Sequence, residues 1–297
     1  MDGMPSLLRP EDNREECLRE EIIFMEHRQW TRYVDEMMGQ LNADVTVPGL
    51  MWPLTIDGVK ARRAAAPDPM ANFVGLAHFT EDTVDAGIQQ VLDAFAREGV
   101  PFSWVVGPTS QPPTLREHLE AHGFHAAEAL RYAGMVLEPL NRVGDPSPGV
   151  TVEVVPTGGN SALYAFAARA FGPPMTPDLA SIGFRIMEAW APHETVVYLA
   201  HLPETAEPVG FGIAYFDPDG EVLWLGGAAV VPEYRGRGIY SALVAHRIRD
   251  ARVRGYRGAI IHAMKSTSAP LCERMGFQTV CDLDVYMAPS ATGEGER

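Results

Sequence analysis

The stretch VPEYRGRGIYSALV, residues 231–244, decides how this chain is read. An apolar run, VLWLGGAAVV, ends at Pro232. Two glycines, Gly236 and Gly238, then bracket an arginine, and a helical pattern starts at once. A helix N-terminus presents amide N–H groups with no partner inside the helix, together with a partial positive charge. Glycines at that point remove Cβ atoms, so the backbone can close around an anion. Arg235 and Arg237 add charge, and from Val231 to Arg257 seven arginines stand against two acids. The arginines beyond Ala245 read as a solvated helix face, and the loop itself as an anion site. Two nucleotide motifs do not fit. No GxxxxGK[ST] run exists, and a GxGxxG fingerprint fails at Ser241, with no acid in the next strand, GAIIHAM, to meet a ribose.

Around this loop the second half alternates short apolar runs with helical ones. TVEVV, TVVYLAHL, GFGIAYF, VLWLGGAAVV, GAIIHAM and DLDVYM read as strands. SALYAFAARAF, the segment after the glycine loop, and SAPLCERMGF read as helices, and FGPPMTPDLASIGFRIMEAW as a long connection. In the first half, residues 14–41 read as one or two amphipathic helices and 42–70 as irregular. Strands at NFVGLAHF, PFSWVVGP and YAGMVLEPL follow, with helices at TVDAGIQQVLDAFAREG and TLREHLEAHGF. The polar, Pro- and Gly-rich NRVGDPSPG separates the halves. Strands alternating with helices imply an α/β (α+β layered) fold with mixed sheets. There is also an internal echo. A strand, a polar turn, a short helix ending in Gly-Phe and a strand ending in Met occur around Gly123 and again around Gly276, but the first half has no counterpart of YRGRG.

Composition sets wider bounds. A chain of 297 residues that is 46% hydrophobic can form a sizeable core. A formal charge of −15 argues against general nucleic-acid binding and mildly favours cationic small molecules, with solubility alone an equal explanation. Cys17, Cys272 and Cys281 show no pairing or metal spacing, which suits a reducing cytoplasm. No apolar stretch has the length of a membrane span, and residues 1–16 lack the apolar core of a secretory signal. His118, His122 and His125 in HLEAHGFH do not match HExxH and read as a surface cluster, so no metal is expected.

V-P-E-Y-R-G-R-G-I, following a strand with paired glycines and followed downstream by L-C-E-R-M-G-F, resembles the acyl-CoA signature of GCN5-related N-acetyltransferases (GNAT). The element order from Thr151 to Met287 is similar to that family over nearly the whole second half. The resemblance implies two tandem GNAT-like domains, each a mixed, mostly antiparallel sheet flanked by helices. Residues 1–141 form a degenerate N-terminal unit, 142–148 a linker, 149–290 the catalytic unit and 291–297 a flexible tail. It implies acetyl-CoA as co-substrate, with the amides of Arg235, Gly236, Arg237, Gly238, Ile239, Tyr240 and Ser241 on its pyrophosphate. Ala229, Val230 and Val231 would pair with the pantetheine arm, and Ser268 would contact the cofactor or cap its helix.

The expected activity is direct acetyl transfer to a primary amine of a small molecule, in the cytoplasm, by a monomer or homodimer with no nucleic-acid or membrane partner. The alternative is a non-catalytic acyl-CoA-binding module, and a nucleotide-binding oxidoreductase stands third. This chain departs from the family at two places. Tyr240 replaces a small residue, and Cys272 stands where the family commonly has a tyrosine acid. Cys272 is therefore a candidate acid, or else a small buried hydrophobe. Glu221 and His262 are candidate bases, with His201 behind them, although a lone histidine on a core strand is commonly structural. Phe171, Met175, Phe184, Met187 and Trp190 are candidates to line an apolar acceptor site, or else to pack the core.

Overall fold

The computed structural model describes residues 27–39, 43–140, 143, 149–156, 160–189 and 193–289. The readings at Cys17, Trp190, most of the linker and the tail lie outside these residues. A helix over 27–39 (α1) opens the described chain. The first half continues with strands β1 (Met51–Leu54), β2 (Lys60–Ala64) and β3 (Phe73–Gly75), helix α2 (Val84–Glu98), β4 (Ser103–Val106), helix α3 (Leu115–Ala121), the short β5 (His125–Ala126) and β6 (Tyr132–Leu137). The second half has β7 (Thr151–Val155), α4 (Ser161–Phe171), α5 (Pro177–Glu188), β8 (Glu194–His201), β9 (Gly210–Phe216), β10 (Val222–Val230), α6 (Ile239–Val253), β11 (Gly258–Met264), α7 (Ala269–Arg274) and β12 (Gln278–Met287).

Two segments depart from the sequence expectation. Residues 42–70 contain β1 and β2 rather than irregular chain alone. Pro53 sits in β1, at the outer edge of the sheet, where a missing N–H costs no ladder bond. The long connection contains α5. Its start carries a legible signal: the Thr176 side chain accepts from the Leu179 N–H, and Pro177 occupies the first turn.

The strands run in the order β1-β2-β3-β4-β12-β6-β11-β10-β9-β8-β7, so one sheet crosses the whole molecule. The β3–β4 and β10–β11 neighbours are parallel and the other pairs antiparallel. The centre is an exchange. β6, from the first half, pairs with β11 along Tyr132–Leu137. β12 pairs with β6 through Gln278–Leu283 and then with β4 through Asp284–Met287. Each half therefore places its last long strand in the other half's sheet. Helical and strand periodicities reveal elements but not their neighbours, so this interlock was not legible beforehand.

Apolar helix faces cover both sides of the sheet. α2 and α3 bury Val84, Ile88, Phe95, Leu115 and Leu119 against the first-half strands. α6 and α7 bury Leu243, Ile248 and Cys272 against the second-half strands. On the opposite side α1, α4 and α5 share one core spanning both halves, including Val34, Phe73, Phe211 and Trp224. The two Gly-Phe turns repeat bond for bond. Gly123 (φ 84°) and Gly276 (φ 96°) are left-handed. The Phe124 N–H then returns to the Leu119 carbonyl at 3.0 Å, and the Phe277 N–H to the Cys272 carbonyl at 3.1 Å.

Candidate active site

β10 and β11 pair from Val222↔Gly258 to Leu225↔Ile261 and then part. The parting coincides with a bulge, where the β9–β10 register shifts between Leu225 and Ala228. Gly226 is required there, because a Cβ would fall 2.4 Å from the Tyr215 ring. The gap opens into a cavity of about 890 Å3, bounded by β10, β11, the glycine loop and the start of α7. Phe171 at the end of α4, Met38 of α1 and Tyr132 of β6 complete its wall, so the first half supplies part of it.

The loop has the geometry an anion needs. Gly236 and Gly238 adopt φ of 78° and 76°, conformations L side chains rarely take. A Cβ on Gly236 would meet no atom within 4 Å, so its exposed face is open. The first helical residues of α6, Ile239, Tyr240 and Ser241, follow directly and all bound the cavity. Their N–H groups have no intrahelical acceptor, whereas the Ala242 N–H bonds the Gly238 carbonyl.

The two loop arginines have structural partners. Arg235 Nε donates to the Val230 carbonyl at 3.0 Å, and Nη2 lies 3.4 Å from the Ala170 carbonyl, tying the loop to the end of α4. Arg237 pairs with Glu204 and lies over the Tyr234 ring. Of the three strand positions, Val231 donates its N–H to the Val209 carbonyl at 2.9 Å, toward β9. Peptide groups alternate along a strand, so Ala229 shares that direction, and Ala228 and Val230 turn theirs toward the gap. Ala228 was absent from the sequence-based set. The bulge, which sets the phase of this alternation, could not be counted from sequence.

The candidate acids and bases fall in different places. Cys272 is fully buried and does not bound the cavity, and burial pushes its thiol up to about 11. Between it and the cavity stands Tyr240, whose hydroxyl lies 3.9 Å from Cys272 Sγ. Burial, then the neighbouring Cys272, raises the phenol, while the Ser268 hydroxyl acts the other way. Ser268 begins α7 without a side-chain capping bond and faces the same cavity.

His262 bounds the cavity. Its Nε2 donates to the Val34 carbonyl of α1 at 2.8 Å, while its buried Nδ1 has no partner among the described residues. Burial pushes its imidazole down to about 4. Glu221 is exposed at the far end of β10, and His201 pairs with Glu153 on the outer strands; neither reaches the cavity. Phe171 bounds the cavity, whereas Phe184 packs in the core and Met175 and Met187 pack against it. His118 and His122 share one Asp85 oxygen, at 2.8 and 3.0 Å. No set of three metal-ligating side chains occurs among the described residues, and no described helix is long and apolar enough to cross a membrane.

No curated protein matches the chain. Residues 163–277 match the acetyltransferase (GNAT) family. Solved structures share the fold at low identity. A GCN5-related N-acetyltransferase from Kribbella flavida aligns with TM-score 0.64 and 15% identity, over 88% of this chain and 96% of that one. A tandem GNAT protein from the clavulanic acid biosynthesis pathway aligns at 0.58 and 16%, over 86% and 88%. A GCN5-related N-acetyltransferase from Sphaerobacter thermophilus aligns at 0.52 and 18%, over 72% and 71%. The matched segment runs from α4 to the second Gly-Phe turn and contains both the parted strands and the glycine loop, so it is over the site-bearing half that this chain is similar to the acetyltransferase (GNAT) family.

Proposed function

We propose that the protein is a cytoplasmic acetyl-CoA-dependent N-acetyltransferase that acts on a small-molecule amine without a covalent enzyme intermediate. The second half carries the site. The first half is a GNAT-like unit without a cofactor slot of its own, and it walls the acceptor side. One observation carries this reading: β10 and β11 part at a glycine bulge directly before two left-handed glycines and a helix N-terminus. Those features suit a thioester cofactor. The open face at Gly236 and the amides of Ile239–Ser241 fit a pyrophosphate. The Ala228 peptide group and the Val230 N–H fit an amide-bearing arm, the Val230 carbonyl being held by Arg235.

Acetyl-CoA supplies a thioester when bound, and the protein's own groups orient and polarise it. A backbone N–H beside the bulge is placed to donate to the thioester oxygen. Tyr240, which bounds the cavity and has its hydroxyl 3.9 Å from Cys272 Sγ, is the residue that would donate a hydrogen bond to the departing sulfur. Burial keeps both phenol and thiol protonated at neutral pH.

The second reading, a non-catalytic acyl-CoA-binding module, is favoured by the seclusion of Cys272 and Glu221. Calorimetric titration with acetyl-CoA, with NADH as control, tests the cofactor. Ser241→Asp sharpens it. An acid in the first turn suits the helix, so the melting temperature holds, whereas its charge opposes a pyrophosphate and acetyl-CoA affinity should fall about ten- to fiftyfold. Equal affinity in the variant would remove the anion assignment. Binding without turnover on any amine would favour the second reading.

A further inference from the structure

The cavity wall also speaks to the acceptor, an inference that rests on the acetyltransferase reading above. Beyond the parted strands, the cavity is bounded by Trp224, Phe171, Tyr132, Met38, Met264 and His262. Phe171 is 42% exposed and stands edge-on to Phe211 at 5.2 Å, over the Gly227 position. Trp224 packs against Tyr215 at 4.8 Å and edge-on to His262 at 5.7 Å. Aromatic rings and thioethers of this kind favour a flat aromatic guest. Among the described residues no Asp or Glu bounds the cavity, and its charged side chains are Arg235 and Arg274. A second ammonium on the guest would find no counter-charge there, and its desolvation would go uncompensated.

The chemistry of the wall agrees. An alkyl amine is an ammonium ion near pKa ~10 and must lose a proton before it attacks. That step needs a strong base within reach. Among the described residues the cavity has no carboxylate, and its imidazole is held neutral by burial, too weak a base for an alkylammonium. An amine on an aromatic ring is already neutral at pH 7 and needs no such base. We propose that the acceptor is a neutral aromatic amine, seated against Phe171, Trp224 and the two methionines. The amine nitrogen attacks the thioester carbon. The C–N bond forms, the C–S bond breaks, and the electron pair leaves on sulfur. The adduct's N–H proton, acidified by the acyl group, passes to that sulfur directly, through water or through His262. The products are an N-aryl amide and the free thiol.

The test uses the full chain and two isomeric amines. 4-Ethylaniline and 2-phenylethylamine have the same atoms, but only the first is neutral at pH 7. Spermidine serves as the multiply charged probe. Acetyl-CoA binding is measured first by calorimetry, then thiol release with each amine. The expected result is acetyl-CoA binding with kcat/KM for 4-ethylaniline at least tenfold above 2-phenylethylamine at pH 7, a gap that narrows at pH 9, and no turnover of spermidine. Met264→Glu, which places a carboxylate in the wall, should narrow the same gap at pH 7 without changing acetyl-CoA affinity. Acetyl-CoA binding with 2-phenylethylamine or spermidine preferred, or with no aromatic amine accepted, overturns the acceptor class and leaves the cofactor reading standing. Failure to bind acetyl-CoA overturns the cofactor reading and the acceptor class with it.

Discussion

The two halves share a strand–helix–strand frame and differ at one joint. In the second half, β10 parts from β11 and hands over to α6 through Arg235–Gly238. In the first half, β3 hands over to α2 through Leu76–Thr83, and the joint is closed. His78 forms a parallel bridge with Gln111. The Gln111 N–H bonds the Ala77 carbonyl at 2.7 Å, and the Phe79 N–H bonds the Gln111 carbonyl at 3.2 Å. The Phe79 ring fills the space a Cβ on Gly58 or Gly87 would occupy, 2.5 and 2.3 Å away. Where the second half has arginines and left-handed glycines, the first has Glu81, Asp82 and Asp85. The frame alone therefore makes no ligand site. A site needs parted strands, small residues at the turn and a favourable charge together.

This contrast can be broken in several ways. The most severe is to express residues 149–297 alone. β11 would lose β6, β12 would lose β4, β5 and β6, and His262 would lose the Val34 carbonyl. No cooperative thermal unfolding transition is expected. A cooperative, soluble fragment would show that the exchange is dispensable.

Next come the matched Gly-Phe turns. Leu119→Ala empties a fully buried site and should cost about 2–4 kcal/mol in urea unfolding. Cys272→Ala removes one buried sulfur and should cost about 1 kcal/mol, with acetyl transfer largely kept; Tyr240→Phe should do the reverse. Equal stability losses would mean the turns are alike in shape but not in packing.

A pH titration follows. Burial depresses His262 from 6.5 to about 4 in the folded protein. The unfolded chain therefore binds a proton there at a pH where the native state does not. The contribution is complete above about pH 6.5 and declines as the pH falls toward 4. It is worth about 2 kcal/mol after allowance for partial exposure of the ring. His262→Asn should remove that slope, and an unchanged slope would assign it elsewhere. The smallest effect is a deliberate failure. Glu81→Arg with Asp82→Arg should leave acetyl-CoA stoichiometry at one per chain, because Phe79 and the backbone bridge still close the joint. A second binding event would show that charge alone separates the halves.

What the sequence disclosed follows a physical division. Local signals were legible: the glycines at 236 and 238, the Gly-Phe turns, and the strand and helix pattern on either side of residue 149. Features set by nonlocal pairing were not. The β6–β12 exchange, the outward turn of Ala228, the position of Tyr240 in front of Cys272 and the reach of Met38 into the cavity all depend on neighbours distant in sequence. β1 and β2 were obscured for a different reason. The edge strand β1 with Pro53 and its neighbour β2 with Arg62 and Arg63 lack apolar alternation, and Arg62 is buried there with its Nε on the Ala71 carbonyl.

The exchanged strand has a consequence for how the protein is made. Asp284 pairs with Val106, about 180 residues upstream, so the first-half sheet gains this neighbour only after that whole intervening stretch has been synthesised. Until then the β4 edge is an open template, exposed on the ribosome to chaperones and to sister chains. Two nascent copies could each lend the other a β12, and the same interlock that joins the halves of one molecule would then join two.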